Sequence, residues 1–448
     1  MGKYIIFKKI RFVFGVVLLF LVSLVLQLNL VIPAFLLSLV VYIKFRDSYL
    51  ENYSILSLTL LFVIPVVATY FIVNQSWSRA YIPFCIIPML TTLLFNQLEL
   101  SLLITLAVSF TVASISGNHL HLGILFFVSG ILSSILVLNA RKRSRVIKAG
   151  FVIGITQGVL LFFVDSYWSL PQKYYLGSYL GIMVNGLISS IIVLGVLPVF
   201  EYLFKTATNI SLLELADSNH PLLQRLIMEA PGTYHHSLIV GNLSESACHA
   251  IGANPLLARI GAYYHDIGKL HKPDYFSENQ SIDHSRHDEL APSMSKLVIM
   301  NHVKEGVELA KKYHLNPVLL DFIQQHHGNS LVYYFYRRAL ENLEEKDQEV
   351  EEEGFRYPGP KPNTKETAVV LLADSVEAAT RAMRDPNPAK IEEVVHKIIN
   401  NKFIDGQLDE CDLTLKDLEK ISAVFIRILG GIYHSRVSYP EESKSESS

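Results

Sequence analysis

Cysteine is scarce in this 448-residue chain. Only Cys85, Cys248 and Cys411 are present, with no Cys-x-x-Cys spacing among them, which excludes a disulfide framework and a cysteine-built zinc site. They read as core thiols of a protein whose soluble part sits in a reducing compartment. Net charge is nearly absent as well: 39 Lys and Arg face 41 Asp and Glu, and no long basic patch lies away from the apolar segments, so duplex DNA or RNA is not an expected partner. The apolar segments have no Asp, Glu or Arg near their centres, which argues against an ion pathway and a transporter. Convincing period-two strands are missing too, and no Ala-x-Ala-like cleavage site follows the first apolar stretch, so a cleaved signal peptide is not expected.

Hydrophobic residues, by contrast, are abundant at 50%, and nearly all of the excess lies before about Phe200. Apolar segments run at about 11–28, 30–42, 55–73, 81–95, 98–115, 120–138, 147–164 and 179–200, most of them near the ~20 residues that span a bilayer. Arg141, Lys142, Arg143, Arg145 and Lys148 mark one loop as cytoplasmic, and Lys205 follows the last segment. Working backwards, Lys44 and Arg46 are cytoplasmic, and the basic N-terminus joins them if the first stretch crosses twice, so eight crossings are favoured over seven. His119 and His121 fall in an outside loop and read as solvated. The first 200 residues are thus expected to be a polytopic membrane helical bundle that anchors the chain and serves as a possible signal input.

The rest reads as all-helical. Residues 201–230 continue out of the membrane as a connecting helix, with Leu212, Leu213, Leu215, Leu222, Leu223 and Leu226 suggesting packing onto the domain that follows. Pro231-Gly232-Thr233 opens a helix that carries His236 on an apolar face and ends at Gly252. Asn254-Pro255 opens another, ending in His265-Asp266-Ile267-Gly268-Lys269, with Gly268 expected to terminate it. Pro292 precedes a helix that puts His302 on a face with Val298, Gly306 and Leu309, and Asn316-Pro317 opens one that closes on His326-His327 before a capping Gly328. Asp374 ends the apolar run Ala368–Ala373, where a lone buried carboxylate would cost several kcal/mol unless paired or bound to a cation. The Glu-rich 341–353 run and Pro358-Gly359-Pro360-Lys361-Pro362 read as a solvated helix end and a loop, and 438–448 as a disordered tail.

The ordered set His236, His265-Asp266, His302, His326-His327 and Asp374 resembles the HD-domain phosphohydrolases. More narrowly, Ala230-Pro231-Gly232-Thr233-Tyr234-His235-His236-Ser237, the His-Asp-Ile-Gly-Lys run and Gln325-His326-His327-Gly328 look like the membrane-bound HD phosphodiesterases of the PgpH type, which cleave cyclic di-AMP. That resemblance implies an all-α HD domain over 231–437 on the cytoplasmic side of the cell membrane, and a hydrolase that opens cyclic di-AMP to linear pApA with a metal-activated hydroxide. It implies two divalent cations, with Mn or Fe suited to mixed imidazole and carboxylate ligands. His236, His265 and Asp374 would hold one, His302, His326 and His327 the other, and Asp266 would bridge them. Lys269 and Arg381 are candidates for contacting the phosphate. A homodimer is admitted. One departure from the family pattern is that the first two apolar segments abut, with no large extracytoplasmic domain between them.

Other residues carry weaker signals. His235 adjoins a ligand but points about 100° away on the helix, in a supporting or structural role. His249, His271, His284, His287 and His314 stand outside the motif set. The 276–280 loop with His284 and His287 is placed to border a cleft, and Tyr333, Tyr334 and Tyr336 read as helical core, with stacking on a base the alternative. A hydrolase of another nucleotide and a nucleotide-binding membrane receptor without turnover are the competing functions. Cyclic di-GMP is disfavoured, because Asn329-Ser330 stands after the paired histidines where those enzymes carry Gly-Tyr-Pro, and Arg356-Tyr357-Pro358 is not that motif.

Overall fold

The structure, a computed structural model, describes residues 55–75, 77–117, 120–168, 176–280, 286–341 and 350–433. The chain divides into two compact units, Met1–Glu214 and Leu215–Ser448. Among the described residues both are helical, and the only β feature is an isolated bridge between Leu331 and Arg356. The expected apolar segments at 11–28 and 30–42, the tail, His119 and His284 lie outside the described residues.

The first unit contains α1 (Ile55–Asn74), α2 (Ile86–Phe95), α3 (Leu98–Ile115), α4 (Leu120–Val137), α5 (Arg143–Trp168) and α6 (Leu176–Phe204). Leu98–Ile115, Arg143–Val164 and Leu176–Phe204 are long and apolar enough to cross a membrane, and Leu60–Asn74, Ile86–Phe95 and His121–Val137 are shorter apolar helices. The expected apolar segment at 81–95 contains one of these shorter helices, α2. α2 has only 10 residues, a rise of ~15 Å against a hydrocarbon core of ~30 Å, and its residues from Ile87 to Phe95 are all buried. His121 is corrected: it is buried in the first turn of α4 rather than solvated in a loop.

Small and polar side chains knit this unit together. Ser101 Oγ lies 2.8 Å from both Thr92 Oγ1 and Ser134 Oγ, and the Gln157 amide donates to Ser129 Oγ at 3.2 Å. α5 and α6 approach so closely that a Cβ on Gly154 would lie 2.0 Å from the Met183 carbonyl oxygen. Small residues permit such backbone contact where lipid removes the hydrophobic drive for association.

Where one helix was expected over 201–230, the connection is broken: α6 ends at Phe204, α7 (Asn209–Leu215) closes the first unit, and after a turn α8 (Pro221–Glu229) opens the second. Then come α9 (Pro231–Ile251), α10 (Pro255–Tyr264), α11 (Pro292–Lys312), α12 (Pro317–Gln325), α13 (Tyr333–Glu341), α14 (Lys365–Arg381), α15 (Pro388–Ile404) and α16 (Leu415–Ile432). The expected start signals act as read: the Asn254 and Asn316 side chains accept from the Leu257 and Val318 amides, each followed by proline in the first turn. Gly252 caps α9 in the left-handed region at φ 75°.

α14 is the central element. Thr364 and Thr367 close a reciprocal cap at its start, and Ala368 through Ala373 are wholly buried against α9, α10, α12, α15 and α16. Each large apolar side chain in that run contributes ~1.5–3 kcal/mol by leaving water. That packing holds Asp374, one residue further on, in a fixed position.

Candidate metal centre

Five elements present the seven motif residues to one point. His236 lies in the second turn of α9, His302 near the middle of α11, and Asp374 midway along α14. The remaining four sit at helix ends. His265 caps α10 and leads through Asp266 into the 3-10 turn Ile267–His271, while His326 caps α12 and precedes His327. Gly328 has the left-handed φ of 55° expected of it. Gly268 does not terminate α10, which ends at Tyr264. Its role is close approach: a Cβ there would meet the His302 carbonyl oxygen at 1.8 Å, so only glycine lets the Asp266 turn lie against α11.

Asp266 is central to the geometry. Its Oδ2 lies 3.2 Å from His265 Nε2 and 3.6 Å from His236 Nε2, whereas Oδ1 lies 3.3 Å from His302 Nε2 and 3.6 Å from His326 Nε2. Asp374 reaches both groups, with Oδ1 3.1 Å from His236 Nε2 and 3.9 Å from His265 Nε2, and Oδ2 3.5 Å from His327 Nδ1. Two sets of potential ligand atoms each fall within 4.8 Å of one another, Asp266 with His302, His326 and His327, and Asp266 with His236 and His265. This pairing suggests a dinuclear metal site. The donors fit cations: His265 Nε2 and Asp266 Oδ1 are buried without a hydrogen-bond partner, a state costing ~1–3 kcal/mol per group unless something else binds them.

The outer nitrogens are tied down. His265 Nδ1–H donates to the Ala262 carbonyl at 2.6 Å and His302 Nδ1–H to that of Ile299 at 2.5 Å, while His326 Nδ1 meets the Phe322 and Ile323 carbonyls at 3.1 and 3.0 Å. His236 Nδ1 bonds instead to the Glu377 carboxylate. These bonds select the tautomer that leaves Nε2 free to ligate.

Charge is distributed unevenly. Burial opposes charging of His265, yet Asp266 and Asp374 outweigh it and push its pKa up to about 10. Burial pushes His302 down to about 4 and, with His326 beside it, holds His327 well below its ordinary value. Burial would raise both Asp carboxyls, but His265 and Lys269 around Asp266, and His236 and His265 around Asp374, hold them well below the usual range. Lys269 Nζ sits 2.7 Å from Asp266 Oδ2 and 2.6 Å from Glu278 Oε1. Burial opposes its charge, yet these two carboxylates raise its pKa; Glu278 in turn is lowered to about 2, since Lys269 outweighs burial.

Arg381 stands one link further out, with guanidinium nitrogens 3.5 Å from Glu377 and 3.8 Å from Glu278. His235, His249 and His314 are exposed, so His235 gives no support to the site. His271 faces Glu305 at 3.6 Å, and His287 is buried with Nε2 against the Tyr275 carbonyl at 2.8 Å. Tyr333 and Tyr334 are 62% and 65% exposed, which overturns their reading as core, while Tyr336 packs on Phe355. Sequence reasoning passed over Glu377 and Tyr357, and singled out Glu278 only as part of the 276–280 loop. Glu377 had a signal: it lies three residues after Asp374 on a buried helix, where a second carboxylate also needs a partner. Tyr357, stacked on His327 at 4.3 Å, had none, because the loop that brings it back has no periodicity.

Fold and site define an HD-domain protein with a two-metal ligand set, carried behind membrane helices. A family model described as "7TM receptor with intracellular HD hydrolase" matches residues 8–208, and one described as "HD domain" matches 233–379. The cyclic-di-AMP phosphodiesterase PgpH of Bacillus subtilis is 39% identical over 413 residues, 90% of this chain and 57% of that protein. The same-named protein of Listeria monocytogenes is 38% identical over 87% of this chain and 54% of its own length. The crystal structure of the L. monocytogenes PgpH HD domain in complex with cyclic-di-AMP is 46% identical, covering 48% of this chain and all of that one, with a TM-score of 0.46. The chain belongs to the PgpH-type seven-transmembrane HD family. It is a multi-pass membrane protein with its HD domain on the intracellular side, and it spans a little over half the length of the curated relatives it matches.

Proposed function

We propose that the protein is a membrane-anchored, metal-dependent phosphodiesterase that opens cyclic di-AMP to linear pApA. The observation that carries this reading is Asp266, whose two oxygens face two separate histidine groups. The activity named for the curated relatives supports the substrate. In this reading residues 231–437 are the hydrolase domain, joined by 201–230 to the membrane region 1–200. His236, His265 and Asp374 would hold one cation, and His302, His326 and His327 the other, with Asp266 shared by both. Mn or Fe suits this mixture of imidazole and carboxylate. Two such ions supply Lewis-acid charge and an activated water for in-line displacement at phosphorus.

The chain's own residues do the rest. Asp266 and Asp374 keep the histidines oriented and supply the negative charge that concentrates cations in a buried place. Lys269, 12% exposed beside Asp266, offers an ammonium to a non-bridging phosphate oxygen, and Arg381, 34% exposed, offers a second cation at the rim. No duplex nucleic acid is needed as partner, and a homodimer is compatible with this arrangement.

The test is turnover of cyclic di-AMP and cyclic di-GMP by the full chain in detergent, with Mn or Fe added. Loss of cyclic di-AMP, abolished at least a thousandfold in Asp266→Ala, is the expected outcome. Tight binding without turnover under either metal would instead mark a receptor.

A further inference from the structure

Three histidines of the centre, His265, His302 and His326, turn their outer nitrogen to carbonyls of their own helices. His236 differs. Its Nδ1 meets the carboxylate of Glu377 on another helix, while its Nε2 points at Asp374 Oδ1, 3.1 Å away, and Asp266 Oδ2, 3.6 Å away. Glu377 is 1% exposed. Among the described residues its Oε1 has no hydrogen-bond partner, and the Arg381 guanidinium lies 3.5 Å from its Oε2. A buried carboxylate is costly to keep, and here its strong hydrogen bond is to one ligand of one ligand group.

We infer that Glu377 is a positioning residue that strengthens metal binding at the His236, His265 and Asp374 position alone, making the two halves of the centre unequal. This rests on the two-metal reading above. An anionic acceptor behind an imidazole fixes the ring and raises the basicity of the opposite nitrogen, and loss of such a partner typically weakens metal binding 10–100-fold. A backbone carbonyl, neutral and already engaged in its helix, does less. The His302, His326 and His327 position receives no comparable charge from behind. The ion there would be held by imidazoles and a shared Asp266.

The experiment is Mn titration of the metal-stripped full chain in detergent, with free Mn followed by electron paramagnetic resonance, comparing wild type with Glu377→Gln and Glu377→Asp. Wild type should take up two ions. Glu377→Gln, equal in size but neutral, should keep one at its original affinity and hold the other about 10–100-fold more weakly, so that the signal of a coupled Mn pair appears only at higher metal. Glu377→Asp keeps the charge and should fall between the two. In a His326→Ala background, where the second position is crippled, adding Glu377→Gln should remove most of the remaining uptake. Two ions bound by Glu377→Gln with wild-type constants would overturn the inference, as would equal weakening of both ions in both Glu377 variants. Uptake of fewer than two ions by wild type would overturn the two-metal reading itself.

Discussion

At the level of single residues, the centre depends on groups that have no alternative. Gly268 is one, since any Cβ meets the α11 backbone at His302. Gly268→Ala should destabilise the domain by about 1–3 kcal/mol and lower metal content, read by denaturant unfolding and elemental analysis. Gly430→Ala, with nothing within 4 Å of the new Cβ, should be neutral or stabilising by up to ~1 kcal/mol and serves as control. His265 gives a pH test. Because its pKa stands at about 10 without metal, it carries a proton at neutral pH that a ligating cation must displace. Apparent metal affinity should therefore rise with pH between 6 and 9, by up to roughly tenfold per unit for one proton exchanged. A flat profile would mean that His265 is already neutral before metal arrives. The seven ligand candidates were legible in the sequence through their order, which resembles the HD phosphohydrolases; a lone histidine on an apolar face would have read as a core residue. The roles of Glu377 and Glu278 were not legible, because their partners lie 141 and nine residues away and only folding reveals the contact.

At the level of elements, helix starts were the most legible feature, since Asn-Pro signals act within a few residues of themselves. Helix ends were less so. Gly252 caps α9 and Gly328 takes a left-handed φ two residues past the His326 cap, but Gly268 serves packing between elements, which local signals cannot distinguish from termination. The same distinction applies in the membrane unit. Gly154 lies against Met183 of α6, and Gly154→Val should force α5 and α6 apart and cut the yield of folded, monodisperse protein in detergent several-fold, whereas Gly195→Ala, with open space around it, should be tolerated. Equal yields on size-exclusion chromatography would show that the two helices can separate without cost. The shortness of α2 has a related cause: its apolar run continues upstream to Tyr81, but the helix itself starts only at Ile86, after Pro83.

At the level of the molecule, metal binding should be linked to folding of the second unit, because the candidate ligands come from α9, the turn after α10, α11, the end of α12 and α14. Metal at a hundredfold excess over its Kd should stabilise that unit by about 2.7 kcal/mol, and chelation should lower its unfolding temperature accordingly in a fluorescence melt of the full chain. No change on chelation would argue that the centre holds no cation. The amino-acid sequence by itself determined the division into an apolar half and a helical soluble half, the helix starts, and the candidate ligands, since hydropathy, capping and motif order are properties of the sequence alone. Only the tertiary structure decided that Asp266 faces both histidine groups, that Glu377 backs His236, and that Lys269 is clamped between Asp266 and Glu278. Those relations depend on the angles and distances at which helices far apart in the chain pack, and these follow from the whole buried interface rather than from any one segment.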